Sequence, residues 1–368
     1  MSRVKFGDVV KDVKINIDRL NNPYEYYVAG DHMDSEDLTI HRKGCFTTDD
    51  VGPAFIRVFK PGQILYGSRR TYLKKIAVAD FEGVCANTTF VFETKDPHAF
   101  EQRLLPFIML SKDFTTWSIA KSKGSTNPYV LFSDLADFEF ELPPLEEQKV
   151  LVDKLWAAYR LKEAYKKLLV ATDEMVKSQF IEMFKEKGYP LRMLKSFADV
   201  STGGTPSKAN LEYWNGDKPW VSAEDMKNKY VYDTCEKVTE AGYATCKIIP
   251  VDTLMYVCRG SIGVMAINKI ECATNQSICR AKCHDNVCNV EFLYHALMYQ
   301  KDNIKKMGTG TSFKSLNQTS FSELKIELPP YNEQMKFVSI AQQADKSKFE
   351  LKQCIENIDK VIKSLING

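Results

Sequence analysis

Phe138–Gln148 reads FEFELPPLEEQ and Leu324–Gln334 reads LKIELPPYNEQ, so one pattern occurs twice at an offset of 186 residues (324 less 138). Glu141, Leu142, Pro143, Pro144, Glu147 and Gln148 are identical to Glu327, Leu328, Pro329, Pro330, Glu333 and Gln334, and the apolar pair Phe138 and Phe140 matches Leu324 and Ile326. In both copies an alternating strand runs into a Pro-Pro stop. Proline near a first helical turn, followed by acids, marks a helix start, because its missing N–H is not needed there and carboxylates favour the positive helix end.

A long helical pattern follows each copy. Leu151, Leu155, Ala158, Leu161, Tyr165, Leu168, Thr172 and Met175 recur at three and four, and Phe337, Ala341, Ala344, Ser347, Leu351, Cys354, Ile358 and Val361 repeat them 186 residues on. From Glu146 to Lys187 no Gly or Pro interrupts the first pattern. That is a helix of about 60 Å, longer than an ordinary globular helix. Two such stripes predict an antiparallel coiled coil. Fainter matches precede the helices: Phe6, Asp8 and Val9 with Phe197, Asp199 and Val200; Leu65 with Leu254; Asn87 with Asn275; Gly124, Ser125 and Thr126 with Gly310, Thr311 and Ser312. Short β-branched and aromatic segments such as Lys75–Ala79, Thr89–Glu93 and Leu254–Val257 read as strands, with short helices near 99–110 and 290–299. The expectation is an α+β (mixed α/β) fold with a pseudo-two-fold internal repeat: two globular domains, 1–143 and 189–329, and two long antiparallel helices, 144–188 and 330–368, that join and separate them.

The 368 residues suffice for two domains with real cores, and 44% hydrophobic with 27% charged residues excludes a disordered chain or a small stapled scaffold. A net charge of +2 argues against a polybasic protein as a whole. The N-terminal stretch MSRVKFGDVV has no apolar signal-type core, so the expected setting is cytoplasmic, with reduced thiols. Seven of ten cysteines lie between Cys235 and Cys288, but none has the CxxC spacing of a zinc knuckle, and they read as small buried hydrophobes.

Catalytic motifs are broken. Gly308–Ser315 (GTGTSFKS) resembles a phosphate-binding loop with Phe313 in place of the second glycine, and Asn22-Pro23-Tyr24 and Asn127-Pro128-Tyr129 lack the second proline of an Asn-Pro-Pro-Tyr motif and read as turns. Nucleic-acid chemistry is better represented. Val51–Ala79 holds six bases (Arg57, Lys60, Arg69, Arg70, Lys74, Lys75) and no acid, interleaved with Phe55, Phe59, Tyr66 and Tyr72, and Lys301–Lys314 is a second basic stretch. The helix 146–187 is nearly balanced, nine bases against eight acids, so basic character sits in domain loops.

The repeat resembles the specificity subunits of Type I restriction-modification systems. The resemblance is carried by the two Leu-Pro-Pro-x-x-Glu-Gln helix entrances, Gly203–Ser207 (GGTPS), Tyr213-Trp214, Pro219-Trp220-Val221, Arg259–Gly263 (RGSIG) and Asn275-Gln276, and it covers the whole chain; the first domain lacks a Gly-Gly-Thr-Pro near Val9. It implies a non-catalytic subunit in which each target recognition domain reads half of a bipartite double-stranded DNA site and the helices set the spacing and dock methyltransferase subunits. Motor-nuclease subunits would join for cleavage. Under it no cofactor belongs to this chain, while S-adenosylmethionine, ATP and Mg2+ serve the partners. An orphan or anti-restriction homologue that binds methyltransferase subunits without reading DNA fits the same architecture; the other alternative, a methyltransferase or nuclease in its own right, is set against by the broken motifs. The candidate DNA contacts are Arg69, Arg70, Tyr72, Lys123 and Ser125 in the first domain and Thr205, Ser207, Arg259, Lys314 and Ser315 in the second, each a loop residue with a suitable donor; no metal ligand is assigned.

Overall fold

The computed structural model describes residues 2–18, 21–307 and 316–367. The chain divides into two compact units, Met1–Lys166 with Lys352–Gly368, and Lys167–Leu351. Both boundaries fall inside long helices, so each unit is completed by an end of the helix that follows the other repeat.

In the first unit, β1 (Ser2–Lys5) pairs antiparallel with β6 (Glu139–Leu142), and β2 (Val10–Asp12), β5 (Thr89–Thr94), β3 (Ile64–Gly67) and β4 (Ile76–Val78) form an antiparallel sheet in that order. Tyr26–Val28, Gly44–Cys45, Phe55–Phe59 and Gly83–Ala86 make a further sheet. In the second unit, β7 (Leu191–Met193) pairs with β13 (Lys325–Glu327), and β8 (Ala198–Thr202), β12 (Ile278–Cys283), β10 (Leu254–Val257), β11 (Met265–Asn268) and β9 (Tyr230–Val231) form the main sheet. Four helices matter here: α1 (Lys112–Ala120), α2 (Leu145–Phe184), α3 (Val290–Met307) and α4 (Tyr331–Asn367).

Register shows the duplication directly. Ile64 faces Val78 and Phe92, and Leu254 faces Ile267 and Ala281. Leu254 therefore answers to Ile64 and not to Leu65, whose counterpart is Met255, so the local match of Leu65 with Leu254 is one residue off; Tyr66 is equivalent to Tyr256, and Arg69 to Arg259. The faint match of Phe6 with Phe197 is corrected: Phe6 N donates to Phe138 O at 2.7 Å, and it is Leu194 N that donates to Leu324 O at 2.9 Å. The true partner lies three residues earlier, because the paired strands β1/β6 and β7/β13 set the alignment rather than local identity.

The repeated glutamine has a physical role. Gln148 is fully buried; its Nε2 donates to Ala99 O (2.9 Å) and Pro143 O (2.7 Å), and its Oε1 accepts from Glu101 N (2.8 Å). Gln334, also fully buried, donates to Val287 O and Pro329 O (2.9 Å each) and accepts from Asn289 N (2.9 Å). One amide thus satisfies three backbone groups beside each helix entrance, which a shorter or apolar side chain could not do.

Helix α2 buries Val152, Leu155 and Tyr159 in the first unit's core with Ile362 of α4, and Val176, Phe180 and Phe184 in the second unit's core with Phe337, Val338, Ala341 and Ala344. Leu161, Leu168 and Met175 of the expected stripe are exposed at 43–49%. At both ends the helix turns positions one residue further on, Val152, Tyr159 and Val176, into a domain core, which a two-helix seam alone would not require. In the second unit the helices run antiparallel: Phe180 meets Phe337 edge to face (5.3 Å between centroids), while Asp173 pairs with Lys348 (2.8 Å). The first unit holds the symmetry-related ion pair, Lys162 with Asp359 at 2.6 Å, both members offset by 186 residues from Lys348 and Asp173.

Candidate nucleic-acid interface

In the first unit three loops meet beyond β3. Ser68 N donates to Thr88 O (3.0 Å), Val130 N donates to Ser68 O (2.9 Å) and Arg70 N donates to Pro128 O (2.6 Å). Tyr129 bridges to both Arg69 and Lys123. Arg70 and Lys74 adopt left-handed backbone (φ 51° and 47°), a tight path on either side of the single turn Thr71–Leu73 that leaves Tyr72 53% exposed. Thr71 Oγ1 lies 2.9 Å from Ser122 Oγ, tying this loop to the one after α1. Arg69, Arg70, Tyr72, Lys123 and Ser125 are thus brought to one exposed surface.

The second unit repeats the knitting. Cys258 N donates to Ser277 O (2.8 Å) and Leu316 N donates to Cys258 O (2.9 Å), the counterparts of the two Ser68 bonds. Arg259 is exposed on this turn, and Thr205 Oγ1 hydrogen-bonds Gln276 on the adjoining one. Ser207, also exposed, sits where its carbonyl accepts from Trp214 Nε1 (3.2 Å). Gly263 has φ +89°, and a Cβ there would stand 3.2–3.3 Å from Lys305 and Lys301, so both lysine stems cover the turn that carries Arg259. Lys314 and Ser315, like the whole of Gly308–Ser315, lie outside the described residues.

With two loop clusters of one design in place, the comparison with known proteins is informative. The type I restriction modification DNA specificity domain matches residues 19–169 and again 186–360. The chain belongs to this family. It is 29% identical over 208 residues to the type I restriction enzyme MjaIX specificity subunit of Methanocaldococcus jannaschii, covering 53% of this chain and 48% of that protein. To the HindI specificity subunit of Haemophilus influenzae it is 29% identical over 195 residues, covering 50% and 42%. The chain thus spans about half the length of the curated relatives it matches. The crystal structure of a type I restriction-modification S subunit from M. genitalium shares the fold, with TM-score 0.62 and 16% identity over 99% of this chain and 95% of that one.

Within this specificity-domain framework, charge availability separates the candidates. Of the acid-free run in the first domain, Arg57 is held by Asp12 (2.9 Å), Lys74 by Glu36 (2.6 Å) and Lys75 by Gly30 O. Burial raises the Asp12 pKa against the pull of Arg57. Lys123 Nζ is bracketed by both oxygens of Asp134 (3.0 and 2.9 Å), and that hydrogen bond holds the Asp134 pKa below the usual carboxylate range. Arg69 and Arg70 are exposed, the second only lightly engaged through Nε to Asn127 Oδ1 (3.3 Å). Sequence reasoning missed Asn127, Tyr129 and Gln276 as loop partners; the signals were Asn127-Pro128-Tyr129, read as a turn, and Asn275-Gln276, taken only as part of the family resemblance.

The cysteine-rich region is mostly buried. Cys258, Cys272, Cys279, Cys283 and Cys288 are buried free thiols, with Cys288 Sγ donating to Asn289 O (3.6 Å), while Cys246 is half-buried and Cys235 exposed. Among the described residues the trio whose ligand atoms lie within 4.8 Å of one another is Asp37, His41 and Glu163, in the other unit. Lys166 Nζ already contacts two of them, at 2.9 Å from Asp37 and 2.7 Å from Glu163.

Proposed function

We propose that this chain is the DNA-reading subunit of a type I restriction-modification enzyme, without chemistry of its own. Each unit's three-loop cluster reads one half of a bipartite site, and the length of α2 and α4 sets the number of unread base pairs. Methyltransferase subunits dock on the chain and supply S-adenosylmethionine chemistry on adenine; motor-nuclease subunits add ATP- and Mg2+-dependent cleavage. It acts in the cytoplasm; among the described residues no helix is long and apolar enough to cross a membrane.

One observation carries the reading. The same two backbone bonds, through Ser68 and through Cys258, present an exposed arginine at the equivalent place in both repeats, Arg69 and Arg259. An arginine fork can grip guanine in the major groove or neutralise phosphate, and loop hydroxyls and amides add donors. Arg69, Arg70, Tyr72 and Ser125 in the first unit, and Thr205, Ser207, Arg259, Lys314 and Ser315 in the second, are the contacts proposed; Lys123 must first leave Asp134.

Co-expression with the methyltransferase subunit and mapping of adenine methylation tests this. The expected result is two short half-sites at a constant separation. One continuous motif, or methylation without sequence preference, overturns it. Removing one heptad from both helices shortens the separation and leaves both half-sites unchanged.

A further inference from the structure

Arg280 stands in the middle of β12 and is 1% exposed. Its two terminal nitrogens donate to Lys247 O and Thr202 O, 2.6 Å each, while Nε has no hydrogen-bond partner among the described residues. Among the described residues no carboxylate pairs with it; burial lowers its pKa, and burial holds the nearby Cys246 and Cys272 thiols protonated, so they offer it no charge. The first unit does otherwise at the same place. Leu65 faces Val91 as Met255 faces Arg280, so the counterpart of this arginine is a buried valine. Where the first unit does bury an arginine, Arg57, it supplies Asp12.

A guanidinium removed from water without a counter-charge is unfavourable, and the valine shows that the sheet does not need it. Its grip explains its presence. Thr202 ends β8 and leads directly into the loop that carries Thr205 and Ser207, and Cys246, next to Lys247, places its Sγ 3.7 Å from Gly204 O. That loop is pressed onto the sheet: a Cβ on Gly203 would stand 2.1 Å from Thr274 O, and Trp220 Nε1 donates to Gly204 O. A cation beneath a loop, in a low-dielectric interior and unmatched by any acid, projects its field outward through that loop.

We propose that Arg280 is a positioning residue for the second unit's reading loop, and that its missing counter-charge is supplied by the phosphates of bound DNA. This rests on the reading of the chain as a DNA-specificity subunit.

The test uses the full chain with its methyltransferase subunits and duplexes carrying the mapped site, intact or with either half scrambled. Arg280→Met keeps length and removes charge. Relief of the unpaired buried charge offsets the two carbonyls left without a donor, so its thermal midpoint is expected close to that of the wild type, while affinity for the intact site falls about tenfold, the size of losing one good base or phosphate contact, with a shallower salt dependence. Sensitivity to scrambling the first half stays; sensitivity to scrambling the second half is lost. Arg280→Lys keeps the cation without the fork, so the salt dependence persists and second-half discrimination drops. Met binding like wild type overturns the proposal, and so does a lowered midpoint with equal losses at both halves, the signature of a merely structural role. If the Met variant does not fold, unchanged second-half discrimination in the Lys variant overturns it. A wild type indifferent to the second half overturns the underlying reading itself.

Discussion

Where each domain sits on its long helix, the two units use the same place with opposite polarity. In the first, Leu38 O accepts from Val78 N (2.8 Å) at the edge of β4, and the adjacent Asp37 receives Tyr159 (2.6 Å) and Lys166 (2.9 Å) from α2. In the second, Lys229 O accepts from Ile267 N (2.8 Å) at the edge of β11, and Lys229 Nζ meets Asp345 of α4 and Glu291 of α3, 2.6 Å each. Tyr159 and Asp345 are repeat equivalents, yet one donates and the other accepts. The seat requires a satisfied polar cluster; which side holds the acid is free, since a buried pair needs complementarity and full hydrogen bonding rather than a given orientation. The two seats are consequently not interchangeable: Asp37 set against Asp345, or Lys229 against Lys166, would bury like charges.

The comparison breaks hardest at Lys229. Its side chain is 12% exposed and serves two acids that are 4% and 19% exposed; without it Asp345 keeps Lys348 (3.2 Å) and Tyr230 (3.1 Å) but the more deeply buried Glu291 keeps only the Tyr230 hydroxyl at close range (2.9 Å), so Lys229→Met is expected to destabilise the second unit by about 3 kcal/mol. Lys166 is 37% exposed, and Asp37 keeps Tyr159 and the Thr39 amide without it, so Lys166→Met should cost only about 1 kcal/mol in the first. Urea unfolding distinguishes them, because Trp117 and Trp156 report on one unit and Trp214 and Trp220 on the other. Equal losses would show that the polarity of the seat is immaterial to its strength.

The glutamine clamps are where the units should not differ. Gln148→Ala and Gln334→Ala each orphan one buried amide and two carbonyls, at a cost of about 2–3 kcal/mol apiece in the same unfolding experiment. A difference larger than about 1 kcal/mol between them would mean that the repeat conserves pattern without conserving energetics.

Acid should separate the units again. His295 is pushed down to about 3 by burial and by Lys229, so the second unit holds it neutral. Its contribution is complete above the unfolded value of about 6.5 and is lost as pH falls from there toward 3. Burial would raise Asp37, but Tyr159, Lys166 and the Thr39 amide bring it to about 2, so its contribution is complete above about 4 and lost only as pH falls toward 2. Stability against pH is therefore expected to slope first in the second unit, between 6.5 and 4, and His295→Gln should flatten that slope alone. The smallest effect belongs to the paired helices: double-mutant cycles on Lys162–Asp359 and Lys348–Asp173 should each return about 0.5 kcal/mol, since both pairs have a solvent-exposed member.

Much of the architecture was legible because it was duplicated. A strand, a Pro-Pro stop and a helical stripe repeated at one offset leave few alternatives, and short strands such as Leu254–Val257 fall where their composition puts them. Of the stripe, Leu155, Phe337, Ala341 and Ala344 are buried as read, while Leu161, Leu168 and Met175 are exposed and Val152, Tyr159 and Val176 take the core places, since periodicity does not say which side of a long helix a domain core will claim. The acid-free run 51–79 drew attention to the 68–75 loop but overcounted its usable charge. Arg57, Lys74 and Lys75 are engaged by Asp12, Glu36 and Gly30 O, partners that long-range folding supplies.

By itself the sequence determined the duplication, the helix entrances and the family, because these depend on local stereochemistry and on repeated spacing. Only the tertiary structure decided that each unit borrows the far end of the other repeat's helix, that Arg69 and Arg259 are equivalents, that Gln148 and Gln334 are clamps, and that Arg280 is buried without an acid. These depend on which distant groups share a low-dielectric interior, where satisfaction of hydrogen bonds and charge is settled by contacts between segments far apart in the chain.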